Sequence, residues 1–434
     1  MNYLQLAFEQ SLFSVGISRP NPAVGAVVVR DGIVVGKGRT QRPGNAHAEV
    51  MALRDAGELA RGAAIYVTLE PCCHYGRTPP CTKAIIEAGI KDVYFAHADP
   101  NPLVRGKSRS ILEEAGIKVF EGQDACERAV VESGWDDSCS HDGCKVLSGN
   151  PTAMGEPETR AEALAEARML FHEIERFFEA YDYFVRNKAT FVEIKSAISQ
   201  EGYMGALVGG GCGSKVAACN APLKITAQGA NCWNHELRAM SDAILVGAGT
   251  VLADSPSLDV RFAQGNNPVK IIWAGHHEFT AAEVAGLRVF QAPVEAGKAP
   301  IVFTCVPQPA IEKKNVGDAP AAPSGEALNV AGHQIEIVTF NAATFVGCWS
   351  QMLENLSARG MHRLMVEPGA RLAKEIFKCG LWNRLDLWQS TDSAVERALE
   401  SSGAEGLAYP EFPTGLVARE SFMIGPDVLT VYEK

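Results

Sequence analysis

The chain has 434 residues, 47% hydrophobic and 21% charged, values that fit two or three globular domains and exclude a disordered or fibrous chain. A net charge of -11 excludes non-specific attraction to a nucleic-acid backbone, which lysine and arginine drive by displacing counterions. No apolar run is long enough to span a bilayer and "MNYLQLAFEQSL" has no signal-peptide pattern, so a cytoplasmic protein with neither membrane nor nucleic-acid partner is expected.

In chain order, "AVGAVVVRDGIVVGKGR" (23 to 39) predicts two strands around an Asp31-Gly32 hairpin turn. "HAEVMALRDAG" follows with apolar residues at helical spacing and a stop at Gly57. "AAIYVTLEP" predicts a buried strand, "TKAIIEAGI" a helix, "DVYFAHA" a strand, "SRSILEEAGI" a helix and "KVFEG" a last strand. Together they predict a three-layer α/β domain over residues 1 to 133. Residues 134 to 187 read as a linker or insertion, turn-rich and acidic at first, with the helical "TRAEALAEARMLFHEIERFFEAYDYF" appended. A second α/β domain spans 188 to 434, with strands "TFVEIKSAIS", "DAILVGAG", "VKIIWAG", "PIVFTC", "IEIVTF", "RLMVEP" and "RLDLWQ", and helices such as "FVGCWSQMLENLSARG". Residues 307 to 327 read as a surface loop.

Twelve cysteines in a long intracellular chain point to metal binding or reactivity rather than disulfides. "HAEV" (47 to 50) and "TLEPCCHYGRTPPC" (68 to 81) supply the order His-x-Glu, then Pro-Cys and a second cysteine, of the zinc deaminases. Eight residues separate Cys72 from Cys81. His47, Cys72 and Cys81 as ligands of Zn²⁺ leave a fourth position for water, whose pKa falls to about 7. Glu49 is then the catalytic proton shuttle and stays off the metal. Cys73, adjacent to Cys72, reads as packing. The alternative is a closed structural site completed by Cys73 or His74, which leaves Glu49 without a task.

"PNPAVGAVVVRDG", "HAEVMALRDAG", "YVTLEPCCHYGRTPPC" and "ADPNPLVRGK" resemble the deaminase half of the bifunctional riboflavin-biosynthesis deaminase/reductase family, in which the longer loop between the cysteines is usual. The resemblance implies a cytidine-deaminase-like α/β/α fold and removal of the 2-amino group of 2,5-diamino-6-(5-phosphoribosylamino)pyrimidin-4-one. It implies that Asn21, Asp99 and Asn101 contact ring or ribose, and that His74 and Arg77 face the ribose phosphate, to which their donors suit them. Thr40 stands where the family usually carries histidine.

The similarity resumes from residue 188. "ELRAMSDAILVGAGTVLADSPSLDVR" (236 to 261) resembles the reductase half, whose fold is similar to dihydrofolate reductase and which passes hydride from NADPH to C1 of the ribose. It implies substrate contacts at Arg238, Leu258, Arg261 and Glu367, and cofactor contacts at Thr250, Asp254 and Gly369. Departures gather here: Glu201 replaces an aspartate, Pro222 and Lys224 replace a Ser-x-Trp pattern, and Pro368 stands in place of glycine or alanine with no N–H to offer. "GGGCGSK" (209 to 215) lacks the spacing of a triphosphate loop. Cys139, His141 and Cys144 lie close in sequence without an evident fourth ligand, and read as thiols of an acidic loop rather than a second zinc site.

The leading expectation is a zinc deaminase followed by an NADPH-dependent reductase, acting as a homo-oligomer on a small phosphorylated pyrimidine. A second is a deaminase whose reductase-like half is a silent scaffold. A third, a nucleobase deaminase on nucleic acid, conflicts with the acidity and the lack of a basic, aromatic-rich strip. A fourth, a purely structural zinc protein, leaves Glu49 unexplained.

Overall fold

The computed structural model describes residues 2–132, 159–207, 225–291, 299–305, 326–330, 332–393, 396–397, 399–400 and 405–434. The Cys139, His141 and Cys144 cluster, "GGGCGSK", Pro222, Lys224 and most of the expected loop at 307 to 327 lie outside them. Two compact units divide the chain, Met1–Asn187 and Lys188–Lys434.

The first unit contains α1 (Tyr3–Leu12), β1 (Gly25–Arg30), β2 (Ile33–Arg39), α2 (Ala48–Ala56), β3 (Ala64–Leu69), α3 (Cys81–Ala88) and β4 (Asp92–His97). It continues through α4 (Lys107–Glu114), β5 (Lys118–Glu121), α5 (Gly122–Glu132) and α6 (Arg160–Asn187). The sheet order is β2-β1-β3-β4-β5, with β3, β4 and β5 parallel and β1 antiparallel to both its neighbours. Asp31 and Gly32 both take positive φ, 51° and 76°, which a two-residue hairpin turn of this hand requires. Along the sheet, Tyr66 stacks on Tyr94 at 4.5 Å and Tyr94 on Phe120 at 4.6 Å. One layer carries α1, α5 and α6 in mutual contact and the other α2, α3 and α4.

Two features differ from the sequence expectation. Helices α1 and α5 are not among the expected elements, although α1 buries Tyr3, Leu4, Ala7, Phe8 and Ser11 along one stripe. Helix α6, expected as an appendage to a linker, packs on α5 and β4 and is part of the first unit. Its buried stripe, Ala163, Ala167, Leu170, Ile174, Phe177 and Phe178, recurs every three to four residues. An amphipathic helix needs a surface to cover, and α5 and β4 supply it.

The second unit begins with β6 (Phe191–Ile198), β7 (Tyr203–Leu207), α7 (Gln228–Ala239), β8 (Ala243–Gly247), α8 (Ala248–Asp254) and β9 (Val269–Gly275). There follow α9 (Ala281–Gly286), α10 (Arg288–Gln291), β10 (Ile301–Thr304), β11 (Glu326–Val330), β12 (His333–Thr339) and α11 (Phe345–Ala358). The chain ends with β13 (Arg363–Val366), α12 (Ala370–Cys379), β14 (Arg384–Ser390), β15 (Glu405–Ala408), β16 (Val417–Ile424) and β17 (Asp427–Glu433). Strand β11 thus begins inside the stretch read as a loop. A ten-stranded sheet runs β11-β12-β10-β9-β8-β13-β6-β14-β17-β16, parallel from β12 to β14 and antiparallel at both ends. Both faces are covered, one by a core around Ile194, Leu245, Trp273, Trp349 and Ile376, the other around Val246, Val251, Ile272, Phe290 and Met365. That double covering explains why the central strands read as unbroken apolar runs. Among the described residues, no helix is long and apolar enough to cross a membrane.

A buried ionic cluster joins the central strands. Arg363 of β13 and Glu193 of β6 are 1% and 0% exposed and paired, and Arg384 of β14 reaches Glu433 at 3.0 Å. Both guanidiniums lie over the Phe191 ring, at 5.5 and 5.9 Å. Removing one partner strands a buried charge, so Glu193→Ala is expected to cost this unit about 3–5 kcal/mol in urea unfolding followed by tryptophan fluorescence. A loss below about 1 kcal/mol would show that the cluster is solvated or adaptable.

Candidate active site

Helix α2 presents His47 and Glu49 because it lies directly on β2. A Cβ at Gly38 would stand 2.1 Å from the Ala48 carbonyl and one at Gly36 2.3 Å from that of Ala52, so these glycines permit the approach. His47 is the N-cap of α2, and Cys81 opens α3. Cys72 comes from the turn after β3.

The three side chains meet. His47 Nδ1 is 3.5 Å from Cys72 Sγ and 3.3 Å from Cys81 Sγ, and the three ligand atoms all lie within 4.8 Å of one another. The edge of a zinc tetrahedron built from ordinary Zn–N and Zn–S lengths is about 3.6 Å, so the donor set fits zinc in spacing and in type. The Cys81 backbone N–H, at the positive end of α3, donates to Cys72 Sγ at 3.4 Å. A hydrogen bond from Cys81 draws the Cys72 thiol well down against its burial, while that same bond and burial push Cys81 well up. Two adjacent thiolates repel, and a divalent cation between them is what lets both ionise. His47 is raised to about 9, first by its hydrogen bond with Cys72. On its other edge, Nε2 lies 3.3 Å from Thr78 Oγ1, an outer contact of the kind that orients a metal-bound imidazole.

Glu49 is 4% exposed and is not one of the three clustered donors. Burial, then the charge of Cys72, push its carboxyl up to about 7, the range that suits a proton shuttle at neutral pH. Cys73 turns away and donates to the Leu103 carbonyl at 3.5 Å. His74 Nδ1 is buried and has no hydrogen-bond partner among the described residues, and Arg77 is exposed.

Asp99 and Asn101 follow β4. Asp99 Oδ1 accepts from Asn101 N at 2.8 Å and Asn101 Oδ1 from Leu103 N at 3.0 Å, so both side chains shape their turn. The Asn21 backbone N–H closes a turn on the Ser18 carbonyl at 2.9 Å. Thr40 is 4% exposed and accepts from the Val24 N–H at 3.1 Å, which explains how a small hydroxyl residue serves there.

Sequence reasoning missed Glu70, two residues before Cys72 in the stretch that carries the ligands. Its buried carboxylate accepts from Ser108 Oγ at 2.6 Å, Gly106 N at 2.9 Å and Asp99 N at 3.3 Å. It ties the turn that carries Cys72 to the Asp99 loop and to the start of α4. An acidic residue ahead of Pro-Cys was the available signal.

In the second unit Arg238 gives Glu367 three hydrogen bonds or ion-pair contacts between 2.8 and 3.2 Å, and reaches the Asp259 carbonyl at 3.2 Å. Burial opposes ionisation of Glu367, but Arg238 and then Lys195 outweigh it and hold its carboxyl below the usual range. Lys195, not foreseen from sequence, is pulled down by burial. Arg261 bonds Ser257 Oγ at 2.7 Å and Asp259 at 3.1 Å, and its N–H donates to the buried His235 Nδ1 at 2.9 Å. Between them Leu258, 2% exposed, has φ +54°, a backbone state uncommon for a branched residue and held here by the loop's bonds.

Thr250 and Gly369 also meet. A Cβ at Gly369 would stand 3.3 Å from Thr250 Oγ1. Gly369 is the N-cap of α12, and Asp254 ends α8 one turn after Thr250. Strands β8 and β13 are parallel neighbours, so α8 and α12 start side by side at the carboxyl ends of the sheet, the end at which open α/β sheets bind ligands. Pro368 precedes the cap, and its missing N–H leaves the first-turn donors of α12 in place. Glu201 is exposed, and its N–H donates to Glu396 at 3.0 Å.

A His/Cys/Cys cage at two helix N-termini beside a buried glutamate defines a zinc-dependent hydrolytic deaminase, here joined to a doubly wound reductase-type unit. Residues 2–97 match the cytidine and deoxycytidylate deaminase zinc-binding region, and residues 213–390 the RibD C-terminal domain. The riboflavin biosynthesis protein RibD of Aquifex aeolicus is 34% identical over 386 residues, 88% of this chain and 85% of that one. The chloroplastic riboflavin biosynthesis protein PYRD of Zea mays is 52% identical over 121 residues, 28% of this chain and 31% of its own. A solved Thermotoga maritima structure, a diaminohydroxyphosphoribosylaminopyrimidine deaminase/5-amino-6-(5-phosphoribosylamino)uracil reductase, is 26% identical with a TM-score of 0.60, covering 99% of this chain and 97% of that one. The chain belongs to the riboflavin biosynthesis protein RibD family, which unites a zinc-binding deaminase and an NADPH-dependent reductase.

Proposed function

We propose that the first unit removes the 2-amino group of 2,5-diamino-6-(5-phosphoribosylamino)pyrimidin-4-one and that the second reduces the ribose of the product to a ribityl chain. The carrying observation is the convergence of His47, Cys72 and Cys81 beside a buried carboxylate outside the cluster. Zinc held by those three residues supplies an activated water for hydrolysis. Glu49 takes a proton from the attacking water and gives it to the ring nitrogen, then takes the remaining proton of the added hydroxyl and gives it to the departing amino group, which leaves as ammonia. His74 and Arg77 offer cationic or donor groups for the ribose phosphate, and the Asp99–Asn101 turn faces the ring or ribose.

In the second unit Arg238 and Arg261 clamp the substrate phosphate around Leu258, Glu367 orients Arg238 and contacts the substrate, and Thr250, Asp254 and Gly369 hold the cofactor at the start of α12. NADPH supplies the hydride. The paired Arg238–Glu367 and the adjacent Thr250 and Gly369 favour an active reductase over a silent scaffold. The test is purified full-length protein given the diaminopyrimidine ribotide, then NADPH. Stoichiometric ammonia followed by NADPH oxidation is expected; ammonia without oxidation would return the second unit to a scaffold.

A further inference from the structure

Helix α6 carries more than packing. His97 ends β4 two residues before Asp99, and its buried ring lies flat against Phe178 of α6, centroids 5.1 Å apart and planes 12° apart. Its Nδ1 meets Glu175 Oε1, and its Nε2 meets Asp182 Oδ1 at 3.0 Å. An ionised carboxylate only accepts, so both ring nitrogens donate. Glu175, Phe178 and Asp182 stand at helical spacing on one stripe, and Arg186 pairs with Asp182 at 3.1 Å. On the main-chain side, the His97 carbonyl accepts from Glu70 N at 2.8 Å, and Glu70 in turn holds the Asp99 loop.

We propose that His97, clamped between Glu175 and Asp182, is a positioning residue for deamination that fastens α6 across the end of β4 and holds the Asp99–Asn101 turn in its substrate-binding geometry. The assignment rests on the deaminase reading of that turn. Packing alone would let α6 tolerate an apolar residue at 97, whereas the clamp cannot, because two carboxylates would then face each other without a cation between them.

The clamp has a pH signature. Burial opposes charge on the His97 ring, but the hydrogen bonds with Asp182 and Glu175 outweigh it and raise it from 6.5 to about 9. A partner that binds the protonated ring more tightly stabilises α6 fully below the ordinary value and loses that stabilisation as pH rises through about 9. The groups facing this region are Glu175, Tyr181, Asp182 and Arg186 from α6, Asp99 from the turn, Glu70 behind it and Cys126 from α5. Burial, then the Glu175 charge, push the Cys126 thiol up to about 12, and burial raises Asp99 to about 6. Neither changes charge near pH 9, and burial pushes the Tyr181 phenol further up, so around the clamp the step there is that of His97; His97→Leu separates it from His47, which is also raised to about 9.

Deamination of the ribotide by the full chain, measured from about pH 6.5 to about 9.5, tests this. In wild type KM should rise above about pH 9. His97→Leu should raise KM about tenfold at neutral pH, with kcat within roughly twofold, zinc content unchanged and no further alkaline rise. Wild-type KM in that variant, or an unchanged alkaline rise, overturns the proposal. If the variant does not fold, NMR of the His97 Cε1 carbon in wild type decides, and a ring that titrates below about 7 overturns it. This titration needs no substrate, so a wild type that releases no ammonia refutes the deaminase reading and leaves the clamp to be judged separately.

Discussion

Glu49→Gln is expected to keep zinc bound and to lower ammonia release roughly 10³-fold, because general acid–base catalysis is the contribution removed. The amide fills the same buried space at the second position of α2 but cannot accept and return a proton. NADPH oxidation with pre-deaminated substrate should match wild type, since the second unit is untouched. Metal analysis and an ammonia assay on one preparation read both effects. Loss of zinc would make Glu49 a ligand, and release above about a tenth of wild type would remove it from the proton path.

Arg238→Met should leave deamination unchanged and cut kcat/KM for NADPH-dependent reduction by about 10²-fold or more. The guanidinium is 7% exposed and joins Glu367 to the Asp259 carbonyl. Methionine keeps much of the volume but leaves the Glu367 carboxylate without its main counter-charge, a change that costs about 3–5 kcal/mol in buried pairs. Arg238→Lys should recover part of the activity, because it restores charge but not the fork that spans two acceptors. Circular dichroism and the intact deaminase activity separate lost reduction from lost folding. Wild-type reduction by Arg238→Met would move the substrate site elsewhere and end the phosphate-clamp assignment.

The clustering of His47, Cys72 and Cys81 was legible because its logic is local. His47 and Glu49 lie within one turn of a single helix, and Cys72 and Cys81 border one short loop, so their types and order already imply one cage. The Asp31-Gly32 hairpin was legible for the same reason, since its backbone preference resides in the two residues that form it. The Thr40 and Pro368 departures were visible in sequence, but their consequences were not. Thr40 matters through Val24 across a strand start, and Pro368 through its place one residue before a helix cap.

What the chain order alone determined is the chemistry available: a soft three-donor set with a neighbouring carboxylate, and arginines and glycines in a second α/β pattern. Tertiary structure decided which distant groups share an environment. Glu70 reaches Ser108, His97 reaches Asp182, and Arg238 reaches Glu367, pairs that no spacing rule predicts. Periodicity encodes which face of an element is buried, whereas charge pairing depends on which elements the fold makes neighbours. Helix α6 is the clearest case, since its amphipathic stripe required burial but only the packed sheet supplied the histidine for its acids.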